Sequence, residues 1–185
     1  MVTPFEVVWE YVDKIPGSFT RINAEKYYEY ALQAEGNVVE IGVDQGRSAS
    51  VLMFAAKHTG ASITLVDSWK SVLRANRDKV SDRLHADFPD LKWTICHADS
   101  VNAASLVNEE IRFSLIHIDG DHWGTGPEDD CVAWIPKLKQ GGFLCVHDYR
   151  VPTMGDAVDK AVDKYTAGWE DLGAWEGLGI RRKPL

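Results

Sequence analysis

Five short apolar runs alternate along this chain with longer amphipathic stretches, and most of the runs end in a glycine or an acidic residue. The runs lie near 37–41, 62–66, 93–96, 113–118 and 143–146. Strands that alternate with helices make βαβ units, and such units build a parallel sheet covered on both faces. The run at 113–118 is apolar almost throughout, as expected of a strand buried on both sides. Between the runs, residues recur at helical spacing: Leu73, Arg77, Val80, Leu84 and Phe88 mark a largely apolar face of one helix, and Cys131, Trp134, Ile135 and Leu138 mark one face of another. Further helices are expected near 48–58, 102–108 and 156–166, and two more near 4–14 and 23–34, separated by Pro16-Gly17. Gly141-Gly142 is expected to turn the chain into the fifth strand. The tail offers two more strands, near 169–175 and 178–182, with Gly177 between them, which predicts an antiparallel hairpin at the sheet edge.

A chain of 185 residues suggests one domain, with residues 1–35 as an N-terminal helical cap and 36–185 as the α/β core. Net charge is -8, from 28 acidic and 20 basic residues, which argues against a nucleic-acid backbone or an anionic membrane as partner. No apolar run approaches the roughly 20 residues of a membrane span, and the N-terminus lacks the basic start of a signal peptide, so a cytoplasmic location is expected. The three cysteines, Cys96, Cys131 and Cys145, form no CxxC, which predicts neither disulfides nor zinc held by thiolates.

In an open parallel sheet, ligands bind beyond the carboxyl ends of the strands. Those ends carry Glu40 and Gly42, then Asp67 and Ser68, then Asp99 and Ser100, then Asp119-Gly120-Asp121-His122, then His147-Asp148. The first loop, Gly42 to Gly46, has GxxxG spacing. It is neither the GxGxxG of dinucleotide enzymes nor a lysine-bearing P-loop, so a pyrophosphate ligand is disfavoured. Asp67 can accept hydrogen bonds from a ribose diol, and it can equally cap a helix; Asp99 and Ser100 carry the same ambiguity.

The segment Val38 to Ala49, VVEIGVDQGRSA, resembles the first S-adenosylmethionine (SAM) motif of class I methyltransferases. Leu115 to His122, LIHIDGDH, resembles the fourth-strand segment of the subgroup that holds the macrocin-type and novobiocin-sugar O-methyltransferases and the cephalosporin hydroxylase-like proteins. The likeness runs on through Asp130, Trp134, Gly141-Gly142 and Val146-His147-Asp148-Tyr149, covering roughly residues 36–150. It implies a Rossmann-like, mostly parallel seven-stranded sheet with the C-terminal hairpin and helices on both faces. It further implies SAM as cofactor, with Glu40 and Gly42 on the methionine part, Asp67 and Ser68 at the ribose, Asp99 and Ser100 beside the adenine, and Asp119 in the same pocket.

The same resemblance implies a divalent metal, magnesium or manganese, at Asp119, His147 and Asp148. His147 stands where the relatives have an acid, and imidazole suits manganese, iron or zinc better than magnesium. Crowded carboxylates favour a cation, which can lower the pKa of a substrate hydroxyl, and Asp121 or His122 can then take the proton. The competing reading is that these residues cap loops around SAM alone. The expected activity is O-methylation of a small molecule or sugar; the alternative is a non-catalytic SAM-binding module in a biosynthetic assembly. His117, between Ile116 and Ile118, is expected to be a core histidine with one satisfied hydrogen bond. Trp69 and Trp123 can stack on adenine or substrate or else pack in the core, Phe19-Thr20 can close over SAM or else form a loop packed on the core, and Trp169 and Trp175 can contribute to a homodimer surface.

Overall fold

The computed structural model describes residues 1–70 and 77–185. Strands β1 (Asn37–Ile41), β2 (Ser62–Asp67), β3 (Trp93–His97), β4 (Phe113–Ile118), β5 (Leu138–Val146), β6 (Glu170–Trp175) and β7 (Leu178–Arg182) form one seven-stranded sheet in the order β3-β2-β1-β4-β5-β7-β6. The pairs among β1 to β5 are parallel; β7 runs antiparallel to both β5 and β6. Chain order reverses between β1 and β4, so the crevice at their carboxyl ends is where this topology places a ligand.

Helices α1 (Phe5–Val12), α2 (Arg21–Ala31), α3 (Arg47–Thr59) and α4 (Arg77–Asp87) bury Val8, Tyr27, Leu52 and Leu84 in one core layer. Helices α5 (Ser100–Leu106), α6 (Gly126–Trp134) and α7 (Ala157–Tyr165) bury Ala103, Trp134 and Val158 in the other. Every residue of β4 is buried, as its apolar run predicts. Each fully buried aliphatic side chain there contributes about 1.5–3 kcal/mol. Gly60 takes a left-handed φ of 68° and ends α3. Of the predicted face on α4, Leu73 lies outside the described residues. No helix among the described residues is long and apolar enough to cross a membrane.

Strand β5 departs from expectation. It starts at Leu138, and Gly141-Gly142 lie inside it rather than before it. The pairing jumps from Phe113↔Leu138 to Leu115↔Phe143, so the glycines form a bulge. A Cβ at Gly142 would sit 2.8 Å from Leu138 and 2.9 Å from the Lys139 carbonyl oxygen, which explains the small residue. The hairpin is present, with β7 inserted between β5 and β6. The Trp175 ring lies against Tyr30, 6.4 Å between centroids, and under the Lys26 ammonium.

Candidate functional site

A cleft of about 630 Å³ opens over the carboxyl ends of β1, β2, β3, β4 and β5. That volume lies within the range of small-molecule sites. Gly42, Asp67, Ser68, Asp99, Ser100, Asp119, Asp121, His122 and Asp148 all line it. The sequence-predicted residues therefore converge, with two departures at Glu40 and His147.

Glu40 is fully buried and does not reach the cleft wall. One of its oxygens accepts from the Ser48 hydroxyl (2.9 Å), the other from the Tyr27 hydroxyl (3.3 Å). His117 Nδ1 stands 3.5 Å from that second oxygen. His117 is a core histidine as expected, but neither ring nitrogen has a hydrogen-bond partner. The strand alternation points it inward while the neighbouring acid is already engaged.

The turn after β1 is tight. Gly42 has φ 85°, and a Cβ there would meet the backbone of Asp119, 2.5 Å from its carbonyl carbon. Only glycine lets β1 and β4 close together at this point. The Asp67 carboxylate organises the same turn: Oδ2 accepts from the Val43 and Asp44 amides (2.8 Å each), and Oδ1 from the Trp69 amide (2.6 Å). A carboxylate offers about four acceptor positions, so one remains for a ligand. Asp99 is the N-cap of α5: its oxygens take the Asn102 amide (3.0 Å) and side-chain nitrogen (2.6 Å). The Ser100 hydroxyl accepts from the Trp134 indole (2.8 Å). Trp69 is tied to the turn through its indole, which donates to the Asp44 carbonyl (3.0 Å), while Trp123 is 61% exposed.

At the β4–β5 end, four ionisable side chains gather. His122 Nε2 lies 3.2 Å from Asp119 Oδ1 and 3.1 Å from Asp148 Oδ2. His147 Nδ1 lies 3.3 Å and 3.4 Å from the same two oxygens, yet is not aligned for a hydrogen bond with either. His147 is only 4% exposed, shielded by the Phe19 ring at 5.4 Å. Burial opposes charge on these groups. The imidazoles nonetheless hold the Asp119 carboxyl well below its usual range, and the two carboxylates push His147 up to about 10. His122 shifts the same way: burial lowers it, but Asp119 and Asp148 together raise it. Asp148 enters the cluster from a left-handed backbone, φ 58°, a conformation that costs a non-glycine residue roughly 1–3 kcal/mol. Asp119, His122 and Asp148 each offer a ligand atom within 4.8 Å of the others. Asp121 accepts from the Trp123 amide through Oδ1 (3.0 Å).

Sequence reasoning missed most of one part of the wall and all of another. Pro16 to Phe19 border the cleft, held there by Arg47, which donates to the Ile15 (3.0 Å) and Gly17 (3.4 Å) carbonyls and pairs with Asp13 (3.0 Å). Of these, only Phe19 was a candidate from the sequence. Asp130 is the second: it is 3% exposed, and one of its oxygens lacks a partner. That oxygen would touch any Cβ at Gly120, at 2.8 Å. Burial raises the Asp130 carboxyl to about 6 despite the Ser100 hydroxyl, which lowers it. An acid raised in the folded state favours folding below its unfolded value near 4, and that contribution is lost as pH rises through about 6. Asp130→Asn is therefore expected to raise stability near pH 7.5 by on the order of 2 kcal/mol and to change little at pH 4. Thermal unfolding at the two pH values checks this; equal shifts at both would refute it.

The family model for a methyltransferase domain matches residues 39–149. Among solved structures, a Staphylococcus aureus protein assigned as a caffeoyl-CoA O-methyltransferase superposes with a TM-score of 0.71 at 15% identity, covering 98% of this chain and 92% of its own. The Podospora anserina methyltransferase PaMTH1, solved with S-adenosylhomocysteine (SAH) bound, gives 0.66 at 16%, covering 98% and 88%. CalS11, a TDP-rhamnose 3'-O-methyltransferase of calicheamicin biosynthesis, gives 0.67 at 14%, covering 96% and 92%. At these identities the likeness is one of fold.

Proposed function

The chain belongs to the methyltransferase-domain family, and from that premise we propose that it is a SAM-dependent O-methyltransferase acting, with a divalent metal, on a hydroxyl of a small molecule or sugar. The observation that carries the reading is the convergence of Gly42, Asp67, Asp119 and Asp148 on one cleft at the switch point of the sheet. The cleft fits SAM in kind: it has the volume, and a glycine turn keeps a side chain out of its floor. SAM, when bound, supplies an electrophilic methyl group on a sulfonium.

The chain's own residues would do the rest. Gly42 and the turn behind it shape the floor beneath the methionine part. Glu40 supports that floor from below through Ser48 and Tyr27 rather than touching the ligand. Asp67 has one acceptor position left for the ribose. Ser68, Asp99 and Ser100 border the base end, where Asp99 sets the start of α5. Methyl transfer needs alignment and removal of one proton. Asp121 lies in the cleft, its Oδ1 held by the Trp123 amide and its Oδ2 without a hydrogen bond among the described residues, and would take that proton.

The acid-rich end fits a cation. Asp119 and Asp148 would hold it, with His122 as the third donor in place of His147, and a metal there would acidify an acceptor hydroxyl. A sugar acceptor is favoured by the likeness to CalS11, whose own acceptor is a TDP-rhamnose.

Titration calorimetry with SAH, together with transfer of labelled methyl from SAM to polyhydroxylated acceptors with and without EDTA, tests the proposal. SAH binding and EDTA-sensitive transfer are expected. Full activity in EDTA would remove the metal, and binding without any turnover would favour a non-catalytic module. Asp67→Ala is expected to weaken SAH binding by roughly tenfold to a hundredfold, since it removes a charged acceptor worth about 1.5–3 kcal/mol and unties the turn. Unchanged affinity in that variant would take Asp67 out of the site.

A further inference from the structure

The turn that carries Asp148 into the cleft is strained, and the C-terminal hairpin grips it. We propose that β7 sets where the Asp148 carboxylate sits, acting through the Tyr149 ring, so that Tyr149, Gly179 and Arg181 are positioning residues of the site. The inference rests on reading Asp148 as part of the methyl-transfer site.

Asp148 and Arg150 both adopt left-handed backbone, with φ of 58° and 59°. Residues with a Cβ disfavour that region and stay there only where their surroundings hold them. Tyr149, between the two, is fully buried. Its amide donates to the carbonyl of Gly177 (2.9 Å), in the turn between β6 and β7. Its hydroxyl donates to Asp163 Oδ1 on α7 (2.7 Å) and accepts from Arg181 Nη2 on β7 (2.8 Å). Arg181 is 5% exposed, lies over the Tyr149 ring at 5.0 Å, and donates through Nη1 to Asp171 Oδ1 on β6 (2.6 Å). On the far side of the turn the Arg150 amide donates to Asp159 Oδ1 on α7 (2.6 Å).

Gly179 shows how closely β7 approaches the ring. A Cβ there would stand 2.6 Å from Tyr149 Cδ1 and 3.0 Å from its Cγ. Gly179 pairs with Val146 of β5 on one side and Ala174 of β6 on the other, so the strand cannot retreat. The ring would have to move instead, and Tyr149 directly follows Asp148 in the chain. The buried links from Asp171 through Arg181 to Tyr149 therefore end one residue from a carboxylate in the cleft, on backbone that relaxes elsewhere once they are loosened. Strain of this kind collects at functional sites, where it fixes a side chain in place.

The test compares two variants of the full chain with the wild type, at one pH and well below every melting temperature. Tyr149→Phe removes one oxygen and keeps the ring. Gly179→Ala pushes the ring and leaves every hydrogen-bonding group present. In NMR spectra of the protein without cofactor, the Tyr149 amide is expected to exchange at least about tenfold faster in Tyr149→Phe. The His122 ring nitrogen that stands 3.1 Å from Asp148 Oδ2 is expected to shift, in both variants, toward its position in Asp148→Asn. The kcat for methyl transfer is expected to fall by about tenfold or more in each, with SAH affinity held within about threefold. In the Asp148→Asn background, Tyr149→Phe is expected to lower kcat by less than about a further twofold, because the group it positions is already gone. A role in stability alone would leave the His122 resonance and kcat untouched. Either result in Tyr149→Phe overturns the inference, as does a full additional loss in the Asp148→Asn background. Should Gly179→Ala fail to fold, Tyr149→Phe carries the test. If the wild type transfers no methyl group to any acceptor, the proposed function fails, while the His122 resonance and the amide exchange still decide whether the hairpin places Asp148.

Discussion

Gly42→Ala is expected to lower the melting temperature by roughly 10 °C and to abolish measurable SAH binding. Two separate penalties act at this residue. Its φ of 85° lies in the left-handed region, where a residue with a Cβ costs roughly 1–3 kcal/mol. The added methyl would also collide with the Asp119 main chain, with the Gly120 nitrogen 3.1 Å away on the same side. Backbone held by β-pairing on both strands cannot move aside as a flexible side chain can. The Gly42 amide donates to Val66 and the Asp119 amide to Ile41, so yielding breaks a ladder bond. Overpacking of this kind adds about 1–3 kcal/mol, and a total near 3–4 kcal/mol corresponds to the stated shift for a chain of this size. A neighbouring control separates strain from general fragility. Gly60→Ala also sits at positive φ, 68°, but a Cβ there meets nothing within 4 Å, so it should lose about 1 kcal/mol and keep SAH binding. If Gly42→Ala binds SAH like the wild type, the turn is not the floor of the cofactor pocket.

The parallel core was legible because periodicity reports burial, and burial is what a doubly wound sheet demands of its strands. The β1 and β4 segments begin and end where the apolar runs do, and so does β7. What periodicity cannot report is which partner a polar group finds. Glu40 and Asp67 both end strands beside the crevice, yet Glu40 turns under the sheet to Ser48 and Tyr27 while Asp67 folds back onto the Val43 and Asp44 amides. The choice depends on residues that arrive from elsewhere in the chain. The Arg47 clamp on residues 13–17 is of the same kind, contacts across 30 to 34 residues without a local pattern. The Gly141-Gly142 pair read as a turn because two glycines usually make one; β5 instead absorbs them as a bulge against Phe113 and Leu115. His122 read as an alternative to Asp121 for taking the proton, whereas its Nε2 faces Asp119 and Asp148.

Asp148→Asn is expected to lower kcat by roughly a hundredfold to a thousandfold while changing SAH affinity by less than about threefold. The substitution is chosen to isolate charge. Asparagine matches aspartate in size and tolerates the left-handed conformation better than most residues, so the φ of 58° at this position adds no new strain. The flanking backbone is anchored independently, with the His147 amide on the Ile118 carbonyl and the Tyr149 amide on Gly177, each at 2.9 Å. What changes is one negative charge among two imidazoles and Asp119. Losing it weakens any cation held there and leaves His122 and His147 with a single carboxylate between them. The ends of the cleft around Ser100 and Asp67, proposed for the base and the ribose, do not involve this side chain, which is why cofactor affinity should survive. Steady-state rates with and without EDTA, beside SAH calorimetry on the same protein, separate the two effects. Turnover above a tenth of wild type would show that Asp148 does no more than hold its loop, and loss of SAH binding along with turnover would place it in the cofactor pocket instead.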